Sequence, residues 1–349
     1  MKKLLATMAG LGLGLLASTS SGFAADTKAC FVYVGPIGDF GWSYQHDQGR
    51  LAVEKELGVE TAYQESVPEG ADSEARYRTA TSVTAIMFQH THRKFYQGRY
   101  VQGKIAAMES KSGVAGYIAS FPIPEVVRGI NSFILGAQSV NPDFKLKVVW
   151  VNSWFDPGKE ADAANTLVAQ GADIITQHTD STAANAAIID EWSPYYVERV
   201  KAVMDGNWAQ HDVWLGMDKG DVVMAPYTNM ADATAAAAAE IEAKIKSNEF
   251  EPFTGPITKQ DGTEWLKDGE TADIGTLLGM NFYVKGVDDQ LPQPRPVEEF
   301  QEEIDETSEG FFQKSLAYAG YYTMIFVTFC VCMPTKVAFA ANSIERFFA

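Results

Sequence analysis

Cysteine and histidine are scarce in this chain, with 3 and 5 among 349 residues, and cations are few: 28 Lys and Arg face 45 Asp and Glu. Three cysteines cannot build a disulfide framework, and Cys330 and Cys332 lie in an apolar run without nearby His or carboxylate ligands, which argues against structural zinc. His90-Thr91-His92 lacks a third ligand at motif spacing and reads as a solvated loop, so neither a metal nor a cofactor is expected. The formal charge of -17 argues against nucleic acid as a partner, because phosphate backbones are bound by clustered cations. The phosphate-binding Gly-x-x-x-x-Gly-Lys-Ser/Thr loop is missing, and Gly35-Pro36-Ile37-Gly38 does not match the dinucleotide fingerprint. Any energy-coupled step therefore belongs to a partner.

The chain opens on Lys2 and Lys3, an apolar run from Leu4 to Ala17, and small residues up to Gly22-Phe23-Ala24. That order is expected of a secretory signal covering residues 1–24, cleaved after Ala24, which places the mature protein in the periplasm. Cys30 follows Thr27-Lys28-Ala29, which lacks the apolar and small residues that precede a lipid-modified cysteine.

From Cys30 onward β-rich runs alternate with helical stretches. Strands are expected at 31–34, 61–67, 114–119, 146–151, 173–177 and 222–227, and helices at 44–57, 124–139, 158–169, 194–204 and 231–246. Strands separated by ten or more helical residues call for parallel sheets joined by right-handed crossovers, so the fold class is α/β. In such sheets ligands gather beyond the carboxyl ends of the strands, where loops meet helix N-termini. The loops after Val34, Val151, Gln177 and Ile189 are the ones to inspect.

The first of these loops sets Asp39, Trp42, Ser43 and Tyr44 just ahead of a helix. Aromatic faces for stacking and polar groups for the edges suit a flat polar ring; the plainer reading packs Trp42 in its own half and uses Asp39 as a cap. The loop after Val151 repeats the combination with Phe155 and Asp156, and for Asp156 a helix N-cap followed by Pro157 competes with ligand contact. In the third loop His178, Asp180 and Ser181 invite a hydrolase reading. Triad members normally come from separate loops, however, and there is no Gly-x-Ser-x-Gly elbow, so His178 and Asp180 read better as the hydrogen-bonding lip of a pocket. Asp190 and Trp192 follow the last of the four loops.

Phe31 to Gly58, with its core Tyr-Val-Gly-Pro-Ile-Gly-Asp-Phe-Gly-Trp-Ser-Tyr-Gln-His-Asp, resembles the opening of the basic membrane protein family of ABC-transporter solute-binding proteins. Further similar blocks are 95–101, 121–142, 148–180, 188–206, 253–262 and 280–292. The resemblance implies a type I periplasmic-binding-protein-like architecture: two Rossmann-like lobes with parallel sheets joined by a hinge, closing over a solute for an ABC permease. It implies a binding protein rather than an enzyme, and since the family includes purine nucleoside receptors, a purine-like ligand. Asp39, Trp42 and Ser43 match the family's opening ligand loop, and Phe155 falls in the second-lobe loop. Asp190 stands where the family often has lysine, a departure that points to a different ligand preference, such as a free base.

On this reading the first lobe opens over 25–113 and the second over 114–189, while 190–292 holds the hinge crossing and the rest of both lobes. Two family stretches are lacking: about a βα unit of some 30 residues between Ala75 and Phe95, and a helix, strand and loop between Asp180 and Ile188. Losing an inner strand would leave backbone groups unpaired, so a gapped, non-binding relative is one alternative. Residues 293–349 form an acidic linker and an apolar tail in which 315–333 are uncharged and long enough to cross a bilayer. That tail reads either as a membrane anchor, which would make the protein a tethered sensing receptor, or as a foreign appendage to a soluble protein.

Overall fold

The structure, a computed structural model, describes residues 28–67, 86–87, 91–181, 188–209, 213–292 and 329–332, with backbone alone at 39, 86–87, 91 and 329–332. The expected signal at 1–24 and His90 lie outside the described residues.

Strand β1 (Lys28–Val32) leads through a short 3-10 turn (Ile37–Asp39) into helix α1 (Trp42–Leu57), which is followed by β2 (Glu60–Gln64) parallel to β1. Gly58 ends α1 because its left-handed backbone (φ 65°) turns its N–H back onto the Glu54 carbonyl at 3.0 Å. Strands β3 (Ile86–Met87) and β4 (Thr91–Arg93) precede helix α2 (Tyr96–Glu109).

A second sheet follows. Strand β5 (Val114–Ala119), helix α3 (Pro124–Gln138), strand β6 (Lys145–Trp150), helix α4 (Pro157–Ala169) and strand β7 (Ile174–His178) form a parallel sheet in the order β6-β5-β7. Central β5 is buried on both faces, as a strand covered by helices above and below must be. Val126, Val127, Ile130, Phe133, Ile134 and Ala137 recur along α3 at helical spacing, and all are buried against that sheet and the 253–287 segment. Ala163 and Leu167 of α4 cover the opposite face with Ile118.

The remaining elements are β8 (Ile188–Asp190), α5 (Ser193–Met204), β9 (Val213–Leu215), β10 (Val222–Met224), α6 (Asp232–Lys246), β11 (Ile257–Thr258), β12 (Glu264–Leu266) and α7 (Ile274–Leu278). Strand β9 runs parallel to β4, and β10 antiparallel to β8. Helix α5 returns to α1 and closes a core of Phe31, Tyr33, Val53, Trp192, Tyr196 and Val200.

Helices α2 and α3 cross so closely that only glycine fits at the contact. A β-carbon on Gly103 would stand 1.8 Å from the Phe133 carbonyl oxygen, and one on Gly136 2.0 Å from that of Tyr100. The Ser132 hydroxyl donates to the Tyr96 carbonyl at 2.6 Å and fixes the crossing.

The apolar tail enters an unexpected arrangement. A strand from the apolar tail, β13 (Phe329–Cys332), lies between β1 and β3, antiparallel to both, in a sheet ordered β2-β1-β13-β3. The β1 edge that loss of an inner strand would leave open is thus paired along Lys28 to Cys30. Among the described residues no helix is long and apolar enough to cross a membrane. The rest of 315–333 lies outside them.

Candidate functional site

Three of the four inspected loops meet at one point. The Asp180 N–H, after β7, donates to the Trp154 carbonyl, after β6, at 2.7 Å, and the Asp180 side chain lies against the bare Cα of Gly41 at the head of α1. Loops from both sheets therefore touch at the carboxyl ends of β1, β6 and β7, the place where ligands gather in open α/β sheets.

Behind Gly41 stands an aromatic stack. Trp42 meets Trp192 edge to face at 5.3 Å and His46 at 4.5 Å, while His46 and Trp192 lie 4.0 Å apart. The His46 Nδ1 is 2.5 Å from the Tyr196 hydroxyl; burial, with Arg93 nearby, holds its pKa well below the usual histidine range. Ser43 is buried and its hydroxyl accepts the Gly35 N–H at 3.1 Å, shaping the loop from within. Tyr44 packs on Phe40. The Asp39 side chain lies outside what the structure describes.

In the other sheet's loops, Phe155 is exposed and its N–H is held by the Ser153 hydroxyl oxygen. Asp156 caps α4: Oδ1 accepts the Lys159 N–H at 3.0 Å, and that backbone bond is the first cause of its lowered pKa. Trp42 has its ring contacts with His46 and Trp192. His178 is buried beneath Phe95, with Nδ1 3.1 Å from the Tyr117 hydroxyl, and burial lowers its pKa well below the ordinary value. The Ser181 hydroxyl donates to Glu160. His178 is thus engaged by Tyr117 and Ser181 by Glu160.

Asp190 ends β8 and faces an ionic cluster the sequence reading did not assemble. Burial raises its carboxyl to about 7; Arg93 and Arg99 oppose the rise, and Glu125 and Asp221 add to it. The Arg93 guanidinium carbon sits 3.8 Å from the Trp192 ring centre and 5.2 Å from that of Tyr195. Its Nη2 is 3.1 Å from Asp221 Oδ1, within ion-pair distance but off hydrogen-bond alignment, so both atoms keep bonding capacity. Arg99 donates to the Gln177 carbonyl at 2.7 Å.

Around these residues buried polar atoms lack a partner: Asp190 Oδ1, Trp192 Nε1, Arg93 Nε, Arg99 Nε, Gln177 Oε1 and Thr179 Oγ1. Buried groups in folded proteins are nearly always satisfied, so these atoms at strand carboxyl ends retain capacity to bond a polar solute. Among the described residues no group of three or more His, Cys, Asp or Glu is placed to hold a metal. Ring faces plus a mixed donor and acceptor array can bind a flat polar molecule, with no activated nucleophile beside it.

The fold is that of solute-binding proteins. A solved ABC-transporter solute-binding protein from Conexibacter woesei superposes with a TM-score of 0.52 at 16% identity, over 64% of this chain and 97% of that one. At the level of sequence, the model of the family described as ABC transporter substrate-binding protein PnrA-like matches residues 73–190. A purine-binding protein of Brucella abortus is 50% identical over 352 aligned positions, covering 83% of this chain and 99% of the relative. A putative ABC transporter glucose-binding protein of Haloferax volcanii is 29% identical, over 82% and 87%. The chain belongs to the PnrA-like family of ABC transporter substrate-binding proteins, which are binding proteins and not enzymes. An alignment of 352 positions that takes in 83% of 349 residues also means that the Brucella protein carries stretches without a counterpart here.

Proposed function

We propose that this chain is an extracytoplasmic receptor that encloses a purine-like nucleobase or nucleoside and presents it to an ABC permease. The chief support is the unsatisfied polar cluster of Asp190, Arg93 and Trp192 beside the Trp42 stack, at the point where the loops around Gly41, Trp154 and Asp180 converge. Purines offer a flat face for an indole and an edge of N–H and acceptor groups, and the name of the Brucella relative favours the same ligand class. On this reading residues 25–113 and 114–189 open the two lobes, 190–292 completes both, and residues 1–24 direct export. Asp39, Phe155, His178 and Asp180 border the crevice, and Asp156 serves α4 as its cap.

Titrating the purified chain with adenine, guanine, hypoxanthine and their nucleosides tests the proposal. Tryptophan fluorescence is expected to quench saturably with at least one of them, and Trp42→Ala to abolish the change. An unchanged signal and an unshifted melting temperature across the whole panel would remove the purine assignment.

A further inference from the structure

Gly41 occupies a place that no other residue can share with Asp180. A β-carbon built there would stand 2.4 Å from Asp180 Cβ, 2.7 Å from its Cγ and 2.8 Å from its Cα, well inside the distances real β-carbons keep. Neither side has slack. The Asp180 N–H is bound to the Trp154 carbonyl, and the strand before it is held through the Gln177 carbonyl by Arg99. On the other side the Gly41 carbonyl accepts the Gln45 N–H at 3.0 Å, and the next side chain, Trp42, is wedged on Trp192 and His46. The two loops spring from different sheets, one headed by β1 and the other by β5, so this contact is a direct bridge between them.

We infer that Gly41 is the positioning residue for closure: its missing side chain lets the loop after β7 seat on the head of α1 when the crevice shuts. The inference rests on the closing-receptor reading above, and it makes Asp180 a seat for the opposite loop rather than only a lip for the solute. A methyl group at 41 acts as a wedge. It disfavours the shut form while leaving the parted form untouched, so a bound solute is lost through faster release.

The test uses the full chain with spin labels at exposed Lys55→Cys on α1 and Lys159→Cys on α4, one on each side of the contact, in a background with the native cysteines changed to serine. Without any ligand, the label distance distribution of Gly41→Ala is expected to lose its short component, and adding Asp180→Gly, which removes the contacts at 2.4 and 2.7 Å but keeps the one to Cα at 2.8 Å, to recover part of it. With adenine as probe, Gly41→Ala is expected to release it about tenfold faster with little change in association. A distribution unaltered by Gly41→Ala, or one in which Asp180→Gly recovers none of the short component, overturns the inference. If the distances behave as expected but no purine binds the unsubstituted chain, the purine assignment falls and the wedge stands.

Discussion

The guanidinium of Arg93 bridges two buried groups, lying 3.8 Å over the Trp192 ring while reaching Asp221 at 3.1 Å. Buried charge of this kind is tolerated only with its partner, so Arg93→Met strands the Asp221 carboxylate and is expected to destabilise by about 3–5 kcal/mol. Combining it with Asp221→Asn removes the stranded charge and recovers much of the loss. Urea unfolding of the four combinations measures the coupling.

Stability depends on pH with a sign set by the same cluster. Burial lifts Asp190 to about 7 and Asp221 to about 6, above their values in the unfolded chain. The native state then binds more protons than the unfolded one between roughly pH 4 and 7, and stability falls as pH rises through that window. Buried His46 and His178, held below the ordinary histidine pKa, act in the opposite sense below about pH 6.5. Between pH 6.5 and 8 the tails of the two effects overlap and largely offset, so the melting temperature is expected to change little across that interval, and Asp190→Asn, which leaves the histidine effect, to make it rise with pH.

Where α2 crosses α3, Gly103→Ala drives a methyl group into the Phe133 carbonyl, and Gly136→Ala does the same at Tyr100. Each is expected to cost about 1–3 kcal/mol through forced backbone shifts, even though alanine is the better helix former. A substitution that stabilised the protein by denaturant midpoint would show that the crossing is looser than described.

Asp156 offers a simpler comparison. Asparagine can still accept the Lys159 N–H and alanine cannot, so Asp156→Ala is expected to lower the melting temperature by about 2–4 °C and Asp156→Asn by less.

Much of the scaffold was legible because its signals are local. The strand 114–119 was expected with its observed bounds, and 124–139 and 158–169 differ from the helices found by one residue at one end. Proline in the first turn, a cap at Asp156 and unbroken apolar runs suffice for such elements. Helix α2 escaped because Arg99, Gln102 and two glycines interrupt its apolar pattern; its buried face mixes Gln97 and Arg99 with Tyr96, Tyr100, Val101 and Ala106, and the two polar side chains owe their burial to distant partners. The site was legible in its loops but not in its ions. Trp42 and Asp190 stood in recognisable positions, whereas Arg93 lay in an unpatterned stretch, and its role follows from a strand pairing with Val213–Leu215 far along the chain. The tail strand was illegible for the same reason, since an apolar run names no partner.

That tail strand covers an edge of the sheet. With Phe329–Cys332 in place, the N–H and C=O rungs of Lys28 to Cys30 are spent within one molecule. A chain trimmed after Pro292, the natural cut for anyone seeking a tidy soluble fragment, bares that ladder as a template for a second copy. Such a fragment is expected to self-associate with rising concentration in light scattering more than the untrimmed chain does, so the segment that looks most dispensable is the one that shields this edge.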